Sequence, residues 1–230
     1  MKMPELIEML KAGVHFGHQS SKQYPKMGGY IHTTRNRISI IDLEQTAVKL
    51  KEALDFVSEI VSQGGTVLFV SSKKQAREII KQAGQSCQMP YINSRWLGGT
   101  FTNFGNITKL TKKLKELESK EKSGELEKYT KKEQLDFTNE ITRLSELVGG
   151  IRDMSKMPEA MFVVDIKKDK SAVAEAVKKQ FPIIALVDTN VNPSLIKYPV
   201  PANDDAVKSI ELITNLIAEA VNEGRLRKPA

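Results

Sequence analysis

Hydrophobic positions along the chain follow two rhythms. Continuous apolar runs over residues 66–70, 160–164, 183–187 and 197–200 predict short buried strands. Between them, apolar residues return every three or four positions and predict helices. Val48, Leu50, Leu54, Val57 and Val61 keep helical spacing behind Asp42, an N-cap with Gln45 in the capping-box position, until Gly64 and Gly65 stop the run. Residues 171–180 predict a shorter helix with alanines on its face, and Asn203, Asp204 and Asp205 cap a long one reaching Glu223. Residues 4–12 predict a short amphipathic helix with Leu6, Ile7 and Leu10 on one face, Pro4 in its first turn and Gly13 at its end. Strands alternating with helices imply an α/β fold with a mostly parallel sheet and right-handed crossovers.

Two stretches depart from that rhythm. Ile107, Leu110, Leu114 and Leu117 are followed by Phe137, Ile141, Leu144 and Val148, each set at alternating steps of three and four. Gly124 lies between them, and Thr130 with Glu133 forms a second capping box. This pattern predicts two antiparallel helices meeting along a narrow seam, a coiled-coil hairpin at residues 105–148 inserted into an α/β domain of residues 1–104 and 149–230. Its outer faces mix Lys and Glu, as solvated faces do. The other stretch, residues 30–41, predicts a β-hairpin with residues 34–36 at the turn.

Composition narrows the function. The 230 residues carry a net charge of +7 and a pI near 9.3, which favours an acidic partner, above all nucleic acid. Cys87 is the sole cysteine, so an internal disulfide is excluded and a reducing compartment fits. The amino end shows neither a long apolar run nor a small-residue cleavage site, and no stretch approaches the roughly 18 apolar residues of a membrane span. The expectation is a soluble, cytoplasmic protein without a signal peptide. No Walker pattern and no G-x-G-x-x-G is present, and no nucleophile has a visible base partner, so catalysis is not expected.

The charge is unevenly spread. From Gly13 to Ile41 there is no acid, while Lys22, Lys26, Arg35 and Arg37 are interleaved with Phe16, Tyr24 and Tyr30, as a phosphate-tracking surface requires. Residues 79–115 again lack acids and contain the run Pro-Tyr-Ile-Asn-Ser-Arg-Trp-Leu-Gly-Gly-Thr-Phe-Thr-Asn-Phe at 90–104. Arg95 beside Trp96 offers a charged fork and a flat ring for phosphate and base contacts, and Gly98-Gly99 lets backbone approach a partner closely. The same run also reads as a tight loop with Trp96 as its packing anchor. At the end of the strand over 66–70, Ser71, Ser72, Lys73, Lys74 and Arg77 form either a phosphate seat or a serine cap on a basic helix. Asp165, Asp188, Asp204 and Asp205 fall near the carboxyl edge of the sheet, where His15 and His18 add imidazoles. His18, Asp188, Asp204 and Asp205 are a candidate set for a divalent metal, zinc or magnesium. The competing reading has Asp188 closing a turn and Asp204 and Asp205 complementing a helix N-terminus. A receiver-type signalling site needs an acidic pair where this chain has Ser71 and Ser72.

Several blocks occur together in one order: Gly13-Val-His-Phe-Gly-His-Gln, Pro25-Lys-Met, Arg35-Asn, Ile40-Ile-Asp-Leu, Arg95-Trp-Leu-Gly-Gly with Thr102-Asn-Phe, Gly149-Gly-Ile-Arg-Asp-Met, Val187-Asp-Thr-Asn and Asn203-Asp-Asp-Ala. In these the chain resembles the bacterial-type family of the second protein of the small ribosomal subunit, from about Leu6 to Arg225. The resemblance implies a flavodoxin-like three-layer fold whose five-stranded parallel sheet carries a protruding coiled-coil hairpin. It also implies a structural, cytoplasmic constituent of the small subunit that binds rRNA and neighbouring ribosomal proteins. Among those partners is the large mRNA-binding ribosomal protein one, which the family helps to recruit. No required cofactor, no membrane and no homo-oligomer are implied.

Carried over by motif, the implied rRNA contacts are His15, Phe16, His18, Gln19, Lys22, Lys26, Arg35, Asn36, Arg95, Trp96, Gly98, Gly99, Thr102 and Asn103. Arg37, Lys73 and Lys74 join them on charge. Gln23 and Tyr24 replace a common Trp-Asn, Arg37 replaces a common glycine, and Asn192 and Lys197 replace common aspartates. The rival is a metal-dependent sheet-edge enzyme or sensor using Asp188, Asp204 and Asp205.

Overall fold

A computed structural model describes residues 3–227 of the chain. The chain begins in α1 (Leu6–Ala12), which ends as Gly13 adopts a left-handed conformation at φ 78° and returns its N–H to Leu10 and Met9. Leu6, Ile7 and Leu10, expected on one face, are exposed, and the helix is anchored by the buried Met9 with the partly buried Ala12.

The basic segment that follows contains a small antiparallel sheet. Strands β1 (Phe16–Gln19), β2 (Ile31–Arg35) and β3 (Ile38–Ile41) lie in the order β1-β3-β2. The hairpin turn falls on Asn36 and Arg37, at φ 49° and 63°, and not on residues 34–36. A two-residue loop needs positive φ at both positions to match the strand twist, which sets the turn one step later than the hydrophobic pattern implies. β1 has no apolar alternation to announce it; pairing of Phe16 with Ile40 and of Gln19 with Ile38 makes it a strand.

Helix α2 (Leu43–Ser62) starts where Asp42 accepts the N–H groups of Glu44 and Gln45. The α/β succession then runs β4 (Val67–Val70), α3 (Arg77–Ser86), β5 (Tyr91–Ile92), α4 (Phe104–Lys122), α5 (Lys131–Val148), β6 (Ala160–Val163), α6 (Lys170–Lys178), β7 (Ile183–Val187), β8 (Tyr198–Pro201) and α7 (Val207–Leu226). The five strands form one all-parallel sheet in the order β5-β4-β6-β7-β8. This is the flavodoxin-like, three-layer α/β arrangement. Strand residues alternate between two cores because successive side chains point to opposite faces. Phe69, Phe162, Ile184 and Leu186 join residues of α2, α3 and α7, while Val70, Val163, Ala185 and Val187 join α6 and the base of the α4–α5 pair. Burial on both faces explains why these strands read as unbroken apolar runs.

Between α4 and α5, Gly124 at φ 74° and a 3-10 turn, Glu125–Lys128, reverse the chain, and Thr130 and Glu133 exchange the two bonds of a capping box. Ile107, Thr111, Leu114 and Leu117 of α4 and Leu144 and Val148 of α5 are buried, so Thr111 takes an inward position beside the half-buried Leu110. Helix α7 continues to Leu226, beyond Glu223, and the Arg225 guanidinium donates to the Gln88 carbonyl at 3.1 Å.

Candidate nucleic-acid interface and the ionic cluster at the sheet edge

A parallel sheet brings the carboxyl ends of its strands to one edge. Here β4 delivers Lys73, β6 Asp165, β7 Asp188, and β8 the Asn203–Asp205 turn. Lys73 is 6% exposed, and its ammonium lies 3.3 Å from Asp165 Oδ2, 2.8 Å from Asp204 Oδ1 and 2.7 Å from Asp205 Oδ1. His18 of β1 places Nδ1 3.1 Å from Asp188 Oδ2 and Nε2 3.5 Å from Asp205 Oδ2. Burial disfavours the Lys73 charge, but the surrounding carboxylates outweigh it and hold its pKa above the ordinary lysine range. Burial, with Asp165 and Asp188 nearby, pushes Asp204 up to about 7 while Lys73 pulls against the rise. The hydrogen bond to Asp188 raises His18 and favours its protonated, doubly donating form.

Lys73 is therefore an internal counter-ion and is not available as the phosphate seat expected of it. Nor do the serines cap a helix: α3 begins at Arg77, while Ser71 Oγ accepts the Lys73 N–H at 3.3 Å and the Ser72 N–H goes to Asp169 at 3.0 Å. Asp204 and Asp205 face Lys73 and leave the start of α7 uncapped; Asn203 makes that turn, accepting the N–H groups of Asp205 at 2.7 Å and Ala206 at 2.9 Å. Among the described residues, His18, Asp188 and Asp204 offer donor atoms within 4.8 Å of one another, a nitrogen-and-oxygen set of the kind zinc accepts. Asp205 stands outside that set, and a divalent ion would compete with the Lys73 ammonium for Asp204.

The 90–104 run is shaped by a residue the sequence does not point to. Glu175 of α6 accepts the Trp96 indole N–H at 3.1 Å, the N–H groups of Gly99, Phe101 and Thr102 at 2.7, 3.0 and 3.2 Å, and the Thr102 hydroxyl at 3.2 Å. Burial alone would raise its pKa, but these donors outweigh it and hold the carboxyl below the usual glutamate range. Trp96 is 7% exposed and packs edge-on against Phe101, so its ring anchors the loop and presents no stacking face. Arg95, Gly98, Thr102 and Asn103 remain exposed, and Gly99 is half-buried at φ 96°. Glu175 is one acid on a helix 70 or more residues away from the loop, and no local spacing marks it.

The basic segment is seated by close contact. Gly17 lies so near Thr189 that an added Cβ would meet its Cγ2 at 2.5 Å and Oγ1 at 2.8 Å, and the His18 N–H donates to Thr189 Oγ1 at 2.9 Å. Outward from that seat, Phe16, Gln19, Lys22, Lys26, Arg35, Asn36 and Arg37 are exposed, as is Lys74 at the top of β4. None of these cations pairs with a carboxylate among the described residues. His15 is half-buried against the Phe16 ring at 4.0 Å, its Nδ1 has no hydrogen-bond partner, and burial lowers its pKa.

A model of the family described as Ribosomal protein S2 matches residues 9–224. The small ribosomal subunit protein uS2 of Rhodococcus erythropolis is 50% identical over 224 residues, covering 97% of this chain and 79% of the relative. That of Fusobacterium nucleatum is 48% identical over 225 residues, covering 97% and 91%. A match of this extent establishes that the chain belongs to the ribosomal protein S2 family, structural components of the ribosome and not enzymes.

Proposed function

We propose that the chain is built as a single copy into the small ribosomal subunit of the cytoplasm, where it binds small-subunit rRNA and neighbouring ribosomal proteins. The observation that carries this reading is the exposed, acid-free surface of β1, the β2–β3 hairpin and the loop between β1 and β2. Its unpaired Lys22, Lys26, Arg35 and Arg37 are pinned to the sheet edge through His18 and Thr189. Such cations neutralise phosphates and fix position, while Arg95, Thr102 and Asn103 on the Glu175-held loop set register against folded RNA. Trp96 and Lys73 act behind this surface, as anchor and counter-ion. The α4–α5 pair, with Lys and Glu mixed on its outer face, supports contact with protein neighbours, including the large mRNA-binding ribosomal protein one. No helix among the described residues is long and apolar enough to cross a membrane.

Gradient sedimentation of tagged protein from cells, at low and high salt with rRNA probed in each fraction, tests the reading. Co-migration with small subunits that weakens as salt rises is the expected result. Unchanged incorporation of the Arg95→Ala/Lys26→Ala variant would show that the contact surface lies elsewhere. Against a metal-dependent enzyme or sensor at the edge cluster stands the Lys73 ammonium, which already pairs with Asp165, Asp204 and Asp205.

A further inference from the structure

At the β5 edge of the sheet, a groove runs between α3 and the turn that follows α5. Its volume, about 1330 Å3, exceeds the roughly 300–1,000 Å3 of a small-molecule site. It is open and lined by five cations, Arg77, Lys81, Arg95, Arg152 and Lys156, against two carboxylates. Arg77 and Arg95 have no carboxylate partner among the described residues. The main-chain edge of β5 is not free to accept another strand. Pro90 and Ile92 direct their carbonyls to β4, and Gly150 packs directly on the outward carbonyl of Tyr91, where only a residue without Cβ fits. A peptide adding to the sheet is thereby excluded; the unpaired Arg77 and Arg95, with Lys81, Arg152 and Lys156 held in surface pairs to Glu78, Asp153 and Glu159 that a phosphate can replace, favour an anionic polymer.

We propose that this groove seats an extended single-stranded segment of RNA, with Arg77 and Lys81 on one wall, Arg152 and Lys156 on the other, and Arg95 at the end nearest the 90–104 loop. The proposal rests on the ribosomal role above and adds a second RNA surface to it. The two surfaces meet at Arg95, while the Lys22 and Lys26 loop belongs to the segment seated after β7, three strand spacings or about 14 Å from β5.

The test reads fluorescence anisotropy of the full chain with a fluorescein-labelled oligouridylate of about 12 nucleotides, a length within the range one binding module covers. The Arg77→Ala/Lys81→Ala/Arg152→Ala variant is expected to bind about tenfold more weakly and to lose about two from the salt slope, since each phosphate contact on a single strand contributes ~0.7. Lys22→Ala/Lys26→Ala, on the basic segment and outside the groove, is expected to keep the groove's share of binding. Unchanged affinity and slope in the triple variant overturn the groove and leave the ribosomal role standing, because that role is read by sedimentation and not by this probe.

A second measurement does not depend on how the triple variant folds. Cys87 is buried and burial pushes its thiol up to about 11, so Lys81→Cys, at a side chain 42% exposed, can be labelled selectively with a short photoreactive group. Crosslinking to the oligouridylate that unlabelled RNA displaces and polyglutamate does not supports the proposal. Displacement by polyglutamate alone assigns the groove to an acidic protein and refutes it.

Discussion

Replacing Glu175 by alanine removes five accepted hydrogen bonds from one loop, three of them from the main-chain N–H groups of Gly99, Phe101 and Thr102. A hydrogen bond to a charged group contributes about 1.5–3 kcal/mol when measured singly. Bonds that share one carboxylate are not additive, and Glu175 is partly exposed, so water replaces some of the donors' lost partner. The net loss on Glu175→Ala is then about 3 kcal/mol, and Glu175→Gln, which keeps an acceptor oxygen without the charge, is expected to lose about half of that. Urea unfolding supplies the number. Emission of Trp96, the sole tryptophan, reports the loop itself, because its indole donates to Glu175 and is buried only while the loop holds its shape. A red-shifted emission in native buffer and a lower midpoint by circular dichroism are the expected pair of results. Acid should mimic the mutation. The folded pKa of Glu175 lies below its unfolded value, so its contribution is complete above the unfolded value near ~4.3 and is lost as pH falls through the folded one. A Glu175→Ala variant with unchanged Trp96 emission and a stability within about 0.5 kcal/mol of wild type would refute the carboxylate as the loop's organiser.

Other positions test other parts of the picture. Arg37 occupies a left-handed conformation at φ 63°, so Arg37→Gly should raise stability by about 1 kcal/mol in urea unfolding while weakening RNA binding; the strain reading fails if stability falls. Gly17→Ala drives a Cβ into Thr189 and the Ser39 carbonyl, and is expected to cost about 1–3 kcal/mol and to loosen the basic sheet, seen as faster amide exchange in β1. Equal stability there would mean that the contact relaxes freely. Dialysis against a chelator should leave the melting temperature unchanged, because the Lys73 ammonium already bridges Asp165, Asp204 and Asp205; a clear drop would show that a metal holds the cluster.

The apolar pattern carried the fold a long way. Continuous runs marked four of the five parallel strands, and the Asp42 and Thr130 caps located the starts of α2 and α5, because capping and two-sided burial are local demands that local residues meet. The exposed cations of the basic segment were equally legible, since an acid-free stretch needs no partner to be recognised. What escaped were features whose cause lies far along the chain. The two-residue β5 is a strand only because β4 lies beside it, and β1 only because β3 does. Lys73 belongs to the carboxylates of β6 and of the turn after β8, and Trp96 to Glu175 of α6, because the crossovers of a parallel sheet bring distant strand ends and helix faces to one edge. Residue types and spacing settled by themselves which stretches would be strands, helices or cationic loops. Which polar groups satisfy one another inside and which stay free for a partner was decided only by the tertiary structure, since a charge's availability depends on its neighbours in space.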